Sequence, residues 1–221
     1  MDIEVVLPQI KKRVEDFRSV WRSKNEVVIL KEAVFCLLTP QSKAVVCWEA
    51  VERLFENFGL EGVFNLFPVD IEIRLRGVRF RRNKAGYIAK FLERIEESGG
   101  VLRWLDRYFK SVGVELNDEF SLEDQFKLRN ALAQEIKGYG LKEATHFLRN
   151  IGVAMDLAIL DRHILKGMLE EGVIRQLPTS LSAKRYFEFE KKFIEWATKK
   201  KLRPVELDLF LWYKKTGFVF K

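Results

Sequence analysis

The hydrophobic positions along this chain recur with helical spacing almost from end to end. Segment 26–39 is nearly continuously apolar, a pattern typical of a helix buried at the centre of a core. Segment 42–58 keeps its apolar residues on one face, with Ser42 placed to cap its start and Gly59 to end it. The same periodicity predicts further helices over 68–76, 83–98, 100–112, 118–137, 141–150, 162–171, 182–201 and 204–215. We therefore predict an all-α fold of about ten or eleven helices.

Strand-like alternation is scarce, and the short stretch 218–220 is the best candidate for a strand. No linker rich in proline, glycine or serine divides the chain, and no repeat with the period of a solenoid is visible. We therefore expect residues 1–221 to form a single domain with two helical lobes.

Composition narrows the class of protein. Hydrophobic residues make up 48% of the 221 positions and charged residues 32%, which excludes disordered and fibrous chains. The two cysteines, Cys36 and Cys47, form no CxxC pair, and we interpret the two histidines, His146 and His163, as structural. With so few soft ligands we expect neither a bound metal nor a cofactor.

The chain shows no sign of membrane insertion or export. No apolar run reaches the roughly 18–20 residues that a membrane helix needs. The N-terminus lacks the basic and apolar segments of a signal peptide. We therefore expect a cytoplasmic protein without a membrane partner.

Basic residues are in excess, with a formal net charge of +7. This excess is typical of proteins that bind nucleic acid, although a lysine-rich solvated surface has the same composition. One basic run, over 191–203, lies among glutamates, which favours a solvated helix face. Phosphate contact is favoured instead for a basic cluster with few acids nearby, formed by Arg74, Arg76, Arg79, Arg81, Arg82 and Lys84.

The most specific stretch is a tight turn between two predicted helices. One helix ends at Ile136, residues 137–140 read Lys-Gly-Tyr-Gly, and the next helix starts at Leu141. Gly138 and Gly140 permit positive φ and the close approach of another backbone. The unpaired N–H groups of the new helix then form an anion site, which the helix dipole assists.

The motif IKGYGLKEATHFLRNIG at 136–152, followed by AILDRHIL at 158–165, resembles the helix-hairpin-helix DNA glycosylase superfamily. Within it, the combination is similar to the type-2 8-oxoguanine DNA glycosylase/lyase branch. The resemblance implies a two-lobed fold with the active site in the cleft between the lobes and a hairpin at about 128–150. It implies double-stranded DNA containing 8-oxoguanine as the partner, and we expect a monomer that joins the nucleoid of a prokaryotic cell. One departure is that 153–160 lacks the proline common in the superfamily.

The resemblance also assigns catalytic roles. The lysine at the position of Lys142 attacks the sugar, and the aspartate at the position of Asp161 assists. An amine that attacks C1′ expels the base and leaves an imine, which allows strand cleavage by β-elimination. A lysine with the ordinary pKa of about 10.4 is protonated at neutral pH, so the helix N-terminus and burial under DNA are expected to lower the pKa of Lys142. The plain alternatives are an exposed lysine and a structural helix cap.

Further roles follow from the resemblance. The backbone of the hairpin at Lys137, Gly138 and Gly140 is expected to hold a DNA phosphate. Gln41, in the turn at 39–43, is the candidate wedge that fills the gap left by the flipped base.

The C-terminus is expected to read the base. In the type-2 branch the final lysine is characteristic, and the carboxylate of Lys221 is expected to accept a hydrogen bond from the N7–H that 8-oxoguanine has and guanine lacks. Trp212 and Phe218 are candidates for a stacking face. The alternatives are core packing for the aromatic rings and a frayed end for the tail.

Two other functions remain open at this point. A non-catalytic helix-hairpin-helix module would bind duplex DNA through phosphate alone. A glycosylase for oxidised pyrimidines would share the hairpin, but such relatives usually carry a four-cysteine cluster that this chain lacks.

Overall fold

The computed structural model describes residues 3–56 and 59–221, and these contain helices and connecting segments but no strand. The prediction of an all-α fold is confirmed, whereas the predicted strand at 218–220 is wrong. The twelve described helices are α1 (Ile3–Ser23), α2 (Glu26–Leu38), α3 (Ala44–Phe55), α4 (Gly59–Phe64), α5 (Pro68–Arg74), α6 (Arg81–Glu97), α7 (Val101–Ser111), α8 (Leu122–Glu135), α9 (Leu141–Asn150), α10 (Arg162–Glu170), α11 (Ala183–Lys199) and α12 (Pro204–Thr216).

Two of these helices, α1 and α4, were not predicted. Helix α1 contains Pro8, which removes a helix hydrogen bond, yet the helix continues to Ser23. Its buried stripe from Val6 to Trp21 supplies the tertiary packing that outweighs this loss. Gly59 begins α4 instead of ending the preceding helix. The predicted end of segment 42–58 lies outside the described residues.

Two predicted helix starts are also wrong. Lys43, not Ser42, stands at the N-cap of α3, because the Ser42 hydroxyl accepts a hydrogen bond from Arg79 N at 3.1 Å instead. Helix α8 begins after Ser121, whose hydroxyl accepts from Asp124 N at 3.1 Å, and not at Asp118.

The helices form two lobes. Helices α2 to α9 surround the larger apolar core and are called the hairpin lobe. Helices α10 to α12 surround a second core, and α1 packs on α12 through a third, so these four are called the terminal lobe. No helix within 3–56 and 59–221 is long and apolar enough to cross a membrane.

A buried ion pair joins the two lobes. Arg129 on α8 donates to both carboxylate oxygens of Glu190 on α11, each at 3.0 Å, and both side chains are almost fully buried. Glu190 Oε1 also accepts from Ala158 N at 3.2 Å. Because Ala158 lies shortly before α10, this pair connects the first helix of the hairpin to the segment that leads to Asp161.

Candidate active site

The turn between α8 and α9 requires glycine at one position. Gly138 has a φ of +102°, and a Cβ added there would lie 2.7 Å from Tyr87 Cδ2. Gly140 has an extended backbone that other residues also adopt. Tyr139 fixes the turn to the core, because its hydroxyl donates to the Ala33 carbonyl at 2.8 Å. Lys137 is exposed, with its Nζ 5.9 Å from the centroid of the Tyr87 ring.

Glu143 takes part in this turn although the sequence analysis did not single it out. Its Oε2 accepts from Gly140 N at 3.1 Å, so one donor of the expected anion site is occupied in this structure. Its Oε1 lies 3.2 Å from Lys142 Nζ. A glutamate three residues after a helix cap is a recognisable signal, because it can close the first turn by such a bond.

The Lys142 side chain is half-buried at the start of α9, in the hairpin lobe. Its Nζ donates to Thr39 Oγ1 at 3.1 Å. The Thr39 hydroxyl in turn donates to the Cys36 carbonyl at 3.0 Å. The amine is thus held between the end of α2 and the Glu143 carboxylate.

Lys84 does not belong with the predicted phosphate contacts. It faces inward from α6, where its Nζ donates to the carbonyls of Leu38 at 2.7 Å and Pro40 at 2.8 Å. Burial lowers the pKa of Lys84, and the positive charge of Lys142 adds to this effect. Its role is to fix the turn at 39–43.

Two exposed side chains at or near this anchored turn lie on left-handed backbone. Gln41 has a φ of +55°. Phe80, at the start of α6, has a φ of +57° and an exposed ring. Left-handed backbone is uncommon outside glycine and clusters at functional sites. The two segments are joined by the bond between Ser42 and Arg79. Phe80 was not among the predicted site residues.

Asp161 lies at the N-cap of α10, in the terminal lobe. Its Oδ1 accepts from His163 N at 2.7 Å and from Ile164 N at 2.8 Å, which confirms the predicted cap. These bonds fix the position of the carboxylate.

A buried carboxyl, Asp208 on α12, lies within the electrostatic reach of both predicted catalytic residues. Burial raises the pKa of Asp208 to about 6, and the charge of Asp161 acts in the same direction. The positive charges of Arg149 and Lys142 oppose this rise. Arg149 Nη2 lies 3.5 Å from Asp208 Oδ2. The charges of Lys142 on the hairpin lobe and Asp161 on the terminal lobe therefore both act on Asp208.

This carboxyl leads to a prediction about stability. A carboxyl with a higher pKa in the folded chain binds its proton more tightly there, so its contribution to the free energy of unfolding falls as the pH rises from 3.8 to about 6. Asp208→Asn cannot titrate. We expect the free energy of unfolding of the parent, minus that of this variant, to fall by about 3 kcal/mol between pH 3 and pH 7. Urea denaturation across this range measures the difference, and a constant difference would contradict the assignment.

The tail is anchored by its last residue. Lys221 Nζ pairs with Glu32 on α2 and lies 3.0 Å from the centroid of the Trp48 ring. Burial lowers the pKa of Lys221, while Glu32 opposes this shift. Arg13 Nε donates to the Phe220 carbonyl at 2.7 Å. The structure therefore holds the mostly buried side chain of Lys221 against α2 and the Trp48 ring.

The two predicted stacking residues differ in exposure. Trp212 is half-buried, and its ring meets the edge of His163 with centroids 5.6 Å apart. Its Nε1 has no hydrogen-bond partner among the residues that the structure describes. Phe218 is exposed and packs edge-on against Phe220 at 6.0 Å.

His146 lies one turn after Lys142 on α9 and is buried against Phe35, with ring centroids 5.4 Å apart. Burial lowers the pKa of His146 well below its usual value, and the charges of Arg149, Lys142 and Lys221 act in the same direction. This direction favours the uncharged form of the imidazole.

Comparison with known proteins identifies the family. The model for the family described as 8-oxoguanine DNA glycosylase matches residues 10–202. The 8-oxoguanine DNA glycosylase/AP lyase of Fusobacterium nucleatum is 34% identical over 212 residues, which cover 96% of this chain and 90% of that protein. The chain belongs to the 8-oxoguanine DNA glycosylase family. The member of that name from Methanocaldococcus jannaschii is 35% identical over 214 residues, 96% of this chain and 91% of that protein.

Solved structures of glycosylases from this family share the fold. The M. jannaschii 8-oxoguanine DNA glycosylase superimposes with a TM-score of 0.76 and 32% identity, covering 99% of this chain and 94% of that one. The 8-oxoguanine DNA glycosylase of Thermotoga maritima has a TM-score of 0.77 and 30% identity, with the same coverage. The M. jannaschii enzyme in complex with a 15mer DNA containing 8-oxoguanine has a TM-score of 0.75 and 32% identity, covering 97% and 92%. The resemblance read from 136–152 and the two-lobed glycosylase fold are confirmed.

Proposed function

We propose that this chain removes 8-oxoguanine from double-stranded DNA and then cleaves the strand at the abasic site, with Lys142 as the nucleophile. The observation that carries the proposal is the half-buried Lys142 amine, which is held by Thr39 and Glu143. Its charge and that of Asp161, which lies on the other lobe, both act on the buried Asp208. Family membership supports the substrate, since the relatives are named 8-oxoguanine DNA glycosylase/AP lyase.

The reaction begins when the Lys142 amine, after giving up a proton to a nearby carboxylate, donates its lone pair to C1′ of the damaged nucleotide. The C1′–N9 bond breaks, its electron pair leaves with the base, and N9 takes a proton. The amine loses its protons as the sugar ring opens to an imine. A base then removes a C2′ proton, the C3′–O bond breaks, and the 3′ phosphate leaves. Hydrolysis of the imine restores Lys142.

We assign two carboxylates to this reaction. Glu143, in contact with the Lys142 amine, can accept its proton. Asp161, fixed by its own helix, can stabilise the positive charge that develops on the sugar.

Asp161→Asn tests this role, because asparagine also caps helices well. We expect the single-turnover rate of 8-oxoguanine release to fall by roughly 10²–10⁴-fold, with the affinity for the duplex little changed. Parallel binding and excision assays measure both. An equal loss of rate and affinity would indicate that Asp161 is only a structural cap.

The C-terminus supplies base recognition in this proposal. The Lys221 carboxylate accepts from N7–H of 8-oxoguanine and disfavours the N7 lone pair of guanine. Trp212 and Phe218 supply apolar surface to the base. Burial lowers the pKa of His146, which lies within the electrostatic reach of Lys221, and so favours an uncharged ring there.

The hairpin and the turn at 39–43 supply the grip on DNA. Lys137 and the backbone at Gly138 and Gly140 contact phosphate, with the Gly140 N–H exchanging Glu143 for a phosphate oxygen. Gln41 enters the space left by the flipped nucleotide, and the exposed Phe80 ring is placed to stack on a neighbouring base.

Borohydride trapping tests the function. The chain is mixed with duplexes containing 8-oxoguanine, guanine or an oxidised pyrimidine, reduced, and resolved by mass. We expect a covalent adduct on the 8-oxoguanine duplex and little on the others. No adduct on any duplex would favour a binding module, and preference for the pyrimidine would change the substrate.

A further inference from the structure

A buried carboxylate lies on the apolar, buried face of helix α2. Glu32 on α2 is 4% exposed, and the residues that follow it as far as Leu38 are buried. Burying a carboxylate is unfavourable unless its oxygens have donors, and an apolar residue often stabilises a core as well or better. The fold alone therefore gives no reason for an acid at this position.

Both oxygens of Glu32 have a donor from a functional part of the molecule. Oε2 accepts from Asn150 Nδ2 at 2.8 Å, and Asn150 lies on α9, the helix that carries Lys142. Oε1 pairs with Nζ of Lys221. Glu32 thus connects the helix of the proposed nucleophile to the last residue of the chain.

The Lys221 ammonium is confined from more than one side. Its Nζ lies 3.0 Å from the Trp48 ring centroid and 5.6 Å from that of Phe35. The preceding carbonyl, of Phe220, is held by Arg13. The side chain and the preceding peptide are thus both held in place. In the proposed function the carboxylate that reads the base belongs to the same residue, so these contacts restrict its position as well.

We propose that Glu32 is a positioning residue, which holds the Lys221 ammonium so that the terminal carboxylate stands where it distinguishes 8-oxoguanine from guanine. The inference rests on the proposed role of the C-terminus. A hydrogen-bond acceptor selects N7–H over an N7 lone pair only at hydrogen-bond distance and angle. Glu32 therefore acts on specificity without touching the base.

Glu32→Gln keeps the shape of the side chain and removes its charge. We expect the ratio of single-turnover excision rates, 8-oxoguanine over guanine, to fall at least about tenfold. Trapping on a duplex with a preformed abasic site should stay within about twofold, because that substrate has no base to read. Glu190→Gln, which removes the charge from another buried ion pair, is the matched control; it should lower stability and slow excision of both bases alike, without changing the ratio.

A double-mutant cycle separates positioning from general damage. Lys221→Met keeps the terminal carboxylate and removes the ammonium, so it should lower the ratio as Glu32→Gln does. The double variant should show no further loss, since both changes break one link. A chain extended by one glycine after Lys221 displaces the carboxylate directly. Its excision ratio, 8-oxoguanine over guanine, is the reference value for a misplaced carboxylate.

Three results would overturn the proposal: an unchanged ratio in Glu32→Gln, additive losses in the cycle, or a parallel loss of abasic-site trapping. If Glu32→Gln does not fold, Lys221→Met alone tests the proposal. An unchanged excision ratio in Lys221→Met would then overturn it. Failure of the proposed function itself is seen separately, as a parent chain that excises no 8-oxoguanine.

Discussion

Lys142→Ala is expected to lose the borohydride-trapped adduct entirely and to lower the rate of 8-oxoguanine release by at least about a thousandfold. The variant lacks the amine that forms the imine, and no other group is held at the same place by Thr39 and Glu143. Single-turnover excision assays and denaturing gels measure the two effects. Binding of the duplex should persist, because the hairpin backbone and the remaining basic residues are intact.

A matched control isolates the effect of position from that of charge. Lys191 is an exposed lysine on α11, remote from the hairpin turn in the sequence. Lys191→Ala removes the same charge and should keep the parent's trapping and excision. Trapping that survives in Lys142→Ala would show that another amine is the nucleophile.

Breaking the buried ion pair between the lobes is expected to have the largest effect on stability. Arg129→Met leaves Glu190 charged and buried without its partner, which should lower the free energy of unfolding by about 3–5 kcal/mol. Excision should slow as well, because Glu190 also holds the backbone at Ala158 before Asp161. Urea denaturation and the excision assay measure these effects.

Two comparisons make this prediction specific. The double variant that carries both Arg129→Met and Glu190→Met should recover much of the stability lost in Arg129→Met, because no buried charge is left unpaired. Breaking the exposed pair of Lys192 and Glu188 on α11, by Glu188→Gln, should change stability little. Equal stability of Arg129→Met and the parent would contradict the account of the pair.

The parts of the site that could be predicted from the sequence have local signals. The glycine of the turn at Gly138, the lysine that opens α9 and the cap at Asp161 each depend on residues only a few positions away. Helix periodicity, likewise local, predicts most of the helices. It failed for α1, where Pro8 interrupts the pattern and distant packing stabilises the helix.

The parts that could not be predicted depend on contacts between distant residues. The pairing of Glu32 with Lys221 joins α2 to the far end of the chain, and no spacing rule connects them. Asp208 acquires its raised pKa only from burial in the folded chain. Lys84 was grouped with its basic neighbours, although its place one turn before the buried Ile88 on α6 puts it on the inner face.

The most direct test of the central claim is to map the reduced adduct by mass spectrometry. The chain is trapped with borohydride on an 8-oxoguanine duplex and digested with nuclease and protease, and its peptides are then sequenced. The account predicts a reduced deoxyribose remnant on the ε-amine of Lys142. A remnant on Lys84, Lys221 or the N-terminal amine, or the absence of any modified peptide, would contradict it.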